Sequence, residues 1–218
     1  SLDSPVAAEH DASRGVRCFD AVMESIAIAR QLGERPDILF TVFERNVQQI
    51  RAMHEEICLP NDLVLILNPV FEYNTVDTGG QLSNDALREL TAWGKQKNVY
   101  LNDGFIQLRR DGGNHIDAPV CRAASTTIVI SPENKLVLPC YHLGLDELPI
   151  ADTLYDLYRS DAVQKLVALE GRMPGCEGCA INCYMQPSFA VETSKYFWKA
   201  LPSTLKYNWI KGTWKQLV

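Results

Sequence analysis

Apolar residues along the first half of the chain alternate between two periods. Phe19, Val22, Met23, Ile26 and Ala29 recur at helical spacing, and Gly33 suits the position just past the end of that helix. Pro36 then leads into the run Asp37 to Phe43, rich in β-branched and aromatic residues, which predicts a strand. Helical spacing returns at Val47, Ile50, Met53 and Ile57, behind Asn46 as the expected cap. Leu63 to Pro69 is a second continuous apolar run and predicts a second strand. Beyond Thr78-Gly79-Gly80, a helix is expected from about Asn84 to Lys97. Ser83 is its cap, and Leu87, Leu90, Thr91 and Gly94 form one face. Val99 to Leu101 predicts a short third strand. Strand, helix, strand at this spacing is the signature of a parallel sheet. The runs lack alternation, so both faces are expected to be covered. The fold class predicted for residues 1–101 is α/β, as the second half of an α/β barrel or an open parallel sheet.

The pattern changes at about residue 102. Asp111-Gly112-Gly113 marks a loop. Thr126 to Ile130, the turn Ser131 to Asn134, and Leu136 to Leu138 predict a β-hairpin. Cys121 precedes its first strand and Cys140 follows its second. Helical stretches are expected from about Thr153 to Leu157 and from Asp161 to Leu169, and Pro174-Gly175 turns the chain into Cys176. Residues 102–190 therefore read as a small α+β domain.

Residues 191–218 form a third region. Its five lysines, Lys195, Lys199, Lys206, Lys211 and Lys215, stand against Glu192 and interleave with Tyr196, Phe197, Trp198, Tyr207, Trp209 and Trp214. Two readings fit. The rings pack on the body while the lysines stay wet, or the segment docks on anionic lipid or an acidic partner as a peripheral membrane contact. Pro202 and Gly212 are expected to break it.

Charge and composition exclude some classes. The formal charge of −6 argues against non-specific nucleic-acid binding, which depends on Lys and Arg. No apolar run approaches a membrane span, and residues 1–15 carry no apolar signal core. A cytoplasmic location is expected. The chain opens on Ser1 rather than Met, as if entered from an upstream strand, and is expected to be part of a longer protein.

The seven cysteines carry the chemistry. Cys18 and Cys58 stand apart and read as semi-buried thiols. Cys121, Cys140, Cys176, Cys179 and Cys183 cluster, and convergent thiolates select zinc or an iron–sulfur cluster. Structural zinc usually takes two tight pairs, whereas here only Cys176 and Cys179 form one. A [4Fe–4S] cube accepts ligands from separate elements. Cys121, Cys140, Cys176 and Cys179 are the most economical four. Cys183 lies four residues beyond Cys179, where it can replace one of them or be a buried thiol. A second clue is at the start. Ser1, Asp3 and Arg14, with His10-Asp11 between them, sit where a parallel strand ends; they suit a zwitterionic ligand or form a capped loop with a surface salt bridge.

These residues resemble the radical S-adenosylmethionine superfamily. The stretch SLDS…EHDASRG…FDAVMESIAIAR is similar to the region around that family's fourth strand. ILFTVFERNVQQI and LVLILNP look like its fifth and sixth strands. The cysteines resemble the twitch and SPASM extensions, where a hairpin pair and a later CxxC hold an auxiliary [4Fe–4S] cluster. The resemblance implies a partial (β/α)6 TIM-like barrel followed by a twitch/SPASM-like domain. Ser1 and Arg14 would then lie at the S-adenosylmethionine carboxylate with Asp3 nearby, and Cys121, Cys140, Cys176 and Cys179 would match the single-cluster twitch arrangement. The fuller SPASM pattern wants seven cysteines and two clusters, whereas five are placed here. Asn134 stands where the family often has Gly, and Asn tolerates a positive φ.

The family's CxxxCxxC loop is absent from residues 1–218 and is expected upstream. The implied activity is that of an oxidoreductase. It cleaves S-adenosylmethionine reductively, with electrons from a reductant such as flavodoxin or ferredoxin, to modify a substrate the sequence does not identify. Asp103, His115 and His142 are titratable residues without an assigned role. The alternative function is a non-catalytic scaffold in which four cysteines bind zinc.

Overall fold

The computed structural model describes residues 1–71 and 82–213, so Thr78-Gly79-Gly80, Trp214 and Lys215 lie outside the described residues. The chain is α/β and divides into two compact units, Ser1–Asp103 with Leu201–Val218, and Gly104–Ala200.

In the first unit, Leu2 is fully buried and donates its N–H to the Leu39 carbonyl at 3.3 Å. Helix α1 (Ala7–Arg14) ends at Gly15, whose φ of 68° reverses the chain. Helix α2 (Phe19–Gln31) follows, then strand β1 (Asp37–Val42). The next helical segment opens as 3-10 at Val47–Gln49, is α over Ile50–Ala52 (α3) and widens to π over Met53–Cys58. Val47, Ile50, Met53 and Ile57 are buried, as their spacing predicts. Asn46 does not cap this segment with its side chain. Its Oδ1 accepts the Phe43 N–H at 2.7 Å and its Nδ2 donates to the Thr41 carbonyl at 3.1 Å, so it locks the end of β1 instead. Strand β2 (Val64–Pro69), helix α4 (Asn84–Trp93) and strand β3 (Val99–Tyr100) complete the sheet. Ser83 Oγ accepts the Ala86 N–H and caps α4.

The three strands are parallel and lie in the order β1-β2-β3, with Leu39 beside Ile66 and Ile66 beside Tyr100. One face is closed. Ile38, Phe40, Val42, Leu65, Leu67 and Val99 are all buried there. Among the described residues the other face is covered in part: Val64 is fully buried there and Tyr100 packs against the Tyr207 ring at 4.8 Å. Leu39 is 38% exposed, and Thr41, Ile66, Asn68 and Tyr100 on its face are only half-buried. Leu39 and Ile66 make this face apolar too, so the sequence showed no alternation.

The second unit runs from Gly104, inside α5 (Asp103–Arg110), through α6 (Ala123–Thr126), β4 (Lys135–Leu138), β5 (Asp146–Pro149), α7 (Leu154–Arg159), α8 (Asp161–Val167), a 3-10 turn at Pro174–Cys176, and α9 (Asn182–Val191). Ala124, Leu136, Leu138 and Val163 form a buried core, against which Leu148, Leu154, Leu157 and Leu166 pack. The predicted hairpin is only partly formed. Thr126 belongs to α6, and the segment after it meets β4 through the bridge Ile130–Leu136 and the bond from Val137 N–H to the Val129 carbonyl. The full antiparallel partner of β4 is β5. Asn134 turns the chain at φ 57°.

Helix α10 (Lys195–Lys211) runs through Pro202 rather than breaking there. Within the first unit its C-terminal half is anchored by its own lysines. Lys206 Nζ donates to the Gly94, Gln96 and Val99 carbonyls at 2.8, 2.7 and 3.1 Å. Lys211 pairs with Asp37 at 3.0 Å, and Tyr207 donates to the same carboxylate at 2.5 Å. Asp37 opens β1 and Val99 opens β3, so these anchors close the N-terminal edge of the sheet. The C-terminal strand ends, where α/β proteins bind ligands, lie at the opposite edge.

Candidate metal centre

Three segments of the second unit deliver the clustered cysteines. Cys121 leads into α6, Cys140 follows β4, and Cys176, Cys179 and Cys183 run from the 3-10 turn into the first turn of α9. Burial grades them. Cys121 and Cys176 are buried, Cys140 and Cys179 half-buried, and Cys183 exposed.

The thiols raise one another's pKa. Burial pushes Cys121 up to about 12, and Cys179, Cys176 and Cys140 add to it. Cys179 is pushed up to about 11 by burial, then by Cys176, Cys140 and Cys183. Cys176 rises through burial and then Cys140. Every pair among Cys121, Cys140, Cys176 and Cys179 is therefore in electrostatic contact. Cys183 adds to the rise at Cys179, and its own thiol is raised by burial and by Cys140. Buried thiols that repel further negative charge are suited to a cationic core, which binds them as thiolates.

Asn114, which the sequence did not reveal, holds these segments together. It is fully buried. Its Nδ2 donates to the Gly171 and Cys176 carbonyls at 2.8 and 3.1 Å, and its Oδ1 accepts the Val120 and Cys121 N–H groups at 3.0 and 3.1 Å. Its backbone N–H donates to the Cys179 carbonyl, and its carbonyl accepts the Gly178 N–H. One residue thus ties together the chain at 121, 176 and 179. Gly113 allows this crossing. At φ 89°, a Cβ there would lie 2.3 Å from the Gly178 carbonyl oxygen. Tyr184 does the same for the Cys140 segment, since its hydroxyl accepts the Tyr141 N–H at 2.9 Å. A Gly-Gly-Asn shortly before a cysteine was the only available signal, and it reads as an ordinary loop.

His142 stands edge-on to Tyr141 and Tyr184, and burial lowers its pKa. His115 Nδ1 pairs with Glu177 at 3.0 Å, and Asp103 donates its N–H to Ser203 at 3.4 Å.

In the first unit, Asp3 and Arg14 come together. Arg14 binds both carboxylate oxygens, Nε at 2.7 Å and Nη2 at 2.9 Å, and Ser13 Oγ donates at 3.3 Å. Ser1 is exposed and has no contact in this group.

Nearby, His10, Asp11 and Cys18 place ligand atoms within 4.8 Å of one another. The hydrogen bonds argue against a metal there. His10 Nδ1 accepts the Asp3 N–H at 3.1 Å, so the neutral ring carries its proton on Nε2, directed at Cys18 Sγ 3.4 Å away. No nitrogen lone pair remains for an ion. Asp11 Oδ1 instead accepts the Cys18 and Phe19 N–H groups at the start of α2, and these bonds lower its pKa. Cys58 is a buried thiol, pushed up to about 12 by burial alone.

Among the described residues, no three cysteine sulfurs come within that 4.8 Å limit. Around one zinc, with Zn–S of about 2.3 Å, sulfurs stand roughly 3.8 Å apart. Comparison with protein-family models, curated proteins and solved structures gives no match to this chain. No described helix is long and apolar enough to cross a membrane.

Proposed function

We propose that this chain is part of a radical S-adenosylmethionine enzyme with one auxiliary [4Fe–4S] cluster, ligated by Cys121, Cys140, Cys176 and Cys179. The observation that carries this reading is the convergence of the four cysteine segments, held by Asn114 on the chain at 121, 176 and 179 and by Tyr184 on the chain beside 140. The donor set fits the group: soft sulfur ligands from separated elements, buried or half-buried. Such a cluster supplies one-electron transfer or an iron that binds a substrate group. The protein's share is to bury the site, exclude water and fix the sulfurs through Asn114 and Tyr184.

The first unit suits the second half of a partial TIM-like barrel. Its parallel strands follow chain order, and α10 closes the edge opposite the strand ends. In this reading Arg14, oriented by Asp3, receives the carboxylate of S-adenosylmethionine, with Ser1 beside it. The reading requires a CxxxCxxC loop, which residues 1–218 do not contain. It also requires a small electron donor such as flavodoxin or ferredoxin.

The test is anaerobic purification with metal analysis. Brown protein with about four irons per chain supports the reading. Colourless protein with one zinc refutes it in favour of a zinc scaffold held by four thiolates. Cys121→Ala is expected to lose the iron.

A further inference from the structure

We infer that Cys18 is a nucleophilic thiol, held by His10 for attack on small uncharged electrophiles such as hydrogen peroxide. Every residue involved belongs to the first unit, so the iron–sulfur reading of the second can fail without touching it.

His10 lies on α1, fully buried, with its ring held on two sides. Nδ1 accepts the Asp3 N–H at 3.1 Å, and the Phe19 ring stands edge-on at 5.9 Å. The bond to Asp3 leaves the ring proton on Nε2, 3.4 Å from Cys18 Sγ. Among the described residues, that sulfur is the one acceptor within reach of the buried Nε2–H. A thiol sulfur accepts weakly, whereas a thiolate takes a charge-assisted bond. A buried N–H is costly to leave poorly paired, so the pocket favours the charged sulfur, which is the form that attacks. Cys18 is also the N-cap of the 13-residue helix α2, whose start carries partial positive charge. The sulfur itself is only half-buried, so a reagent can reach it from solvent.

Asp11 narrows the class of reagent. Its Oδ1 accepts the Cys18 and Phe19 N–H groups at 2.9 and 2.8 Å. Neither donor is left to receive an anion, and an uncharged electrophile is the better fit. With hydrogen peroxide, an S–O bond forms as the O–O bond breaks. The sulfur gives two electrons to the peroxide, and the products are sulfenic acid and hydroxide. His10 keeps its proton throughout, because with Nδ1 occupied it serves as a donor and not as a base.

The test follows alkylation of each cysteine by iodoacetamide near neutral pH, anaerobically, on the full chain. Mass spectrometry reads the rates residue by residue, in the folded protein and in denaturing urea. A half-buried thiol without activation reacts more slowly when folded. Cys18 is expected to react roughly tenfold faster folded than unfolded, because an ordinary thiol is only a few per cent thiolate at that pH. Cys58, fully buried, is expected to react only once unfolded. His10→Phe keeps a ring and removes the donor. It is expected to lose the excess at Cys18 while α2 stays protected from hydrogen exchange. After brief treatment with hydrogen peroxide, dimedone is expected to tag Cys18 in wild type.

Cys18 reacting no faster in the folded wild type than in the unfolded chain would overturn the inference, whether or not the variant folds. So would an undiminished excess in folded His10→Phe, or peroxide-treated wild type without a dimedone tag on Cys18.

Discussion

Replacing Asn114 by Ala strands two N–H groups, of Val120 and Cys121, and two carbonyls, of Gly171 and Cys176. Each hydrogen bond contributes about 0.5–1.5 kcal/mol net, and a buried group left unpaired costs about 1–3 kcal/mol. Water can enter the space the amide leaves and recover part of this. The expected loss is about 3 kcal/mol, confined to the second unit. At about 1.4 kcal/mol per factor of ten, that is roughly a hundredfold loss of protection. Native-state hydrogen exchange read by mass spectrometry on peptides covering 114–122 and 171–184 measures it directly. Peptides of the parallel sheet serve as the internal control, since Asn114 makes none of these bonds to them. A loss smaller than tenfold in both peptides would refute the claim that this amide ties the cysteine segments together. Equal loss in the sheet would show a global rather than local effect. Asn114→Asp should be at least as damaging near neutral pH, because it sets a carboxylate oxygen against two carbonyl oxygens.

Two further predictions concern the same unit. Gly113→Ala is expected to cost about 2–4 kcal/mol, combining a positive φ with overlap against backbone; an unchanged thermal midpoint would show that the Gly113–Gly178 crossing can relax. Asp111 accepts bonds from Lys195, Gln107 and Tyr196, and Lys195 first among them holds its pKa below the usual 3.8. Its stabilising contribution is thus complete above that value and lost as pH falls through the depressed one. Hydrogen exchange in the first turn of α10 should quicken in that acid window, and Asp111→Asn should abolish the change; an acid limb surviving in the variant would assign it elsewhere.

Much of the first unit could be read from local pattern. Val47, Ile50, Met53 and Ile57 are buried where helical spacing places them, and Ser83 and Gly33 bound their helices as side-chain chemistry dictates. Strand pairing was less legible. β-Propensity over Thr126 to Ile130 suggested a strand, but α6 takes its start and the best partner for β4 lies on its other side, in β5. Propensity describes a residue, whereas pairing depends on which segment the rest of the core brings alongside. The tail shows the same division. Its lysines looked available for an anionic surface, yet Lys206 and Lys211 direct their donors to carbonyls and a carboxylate at the strand starts.

The sequence by itself supplied five clustered cysteines, the residue type that soft metals take as ligands. It also determined the parallel strands, whose apolar runs are local signals. Only the tertiary structure graded those thiols by burial, from Cys121 and Cys176 inside to Cys183 at the surface. It alone showed that Asn114 and Tyr184 are what hold the segments, and that the His10, Asp11 and Cys18 group has no nitrogen lone pair to offer a metal. Those distinctions rest on burial and on hydrogen bonds between residues far apart in the chain, which no local pattern of residue types encodes.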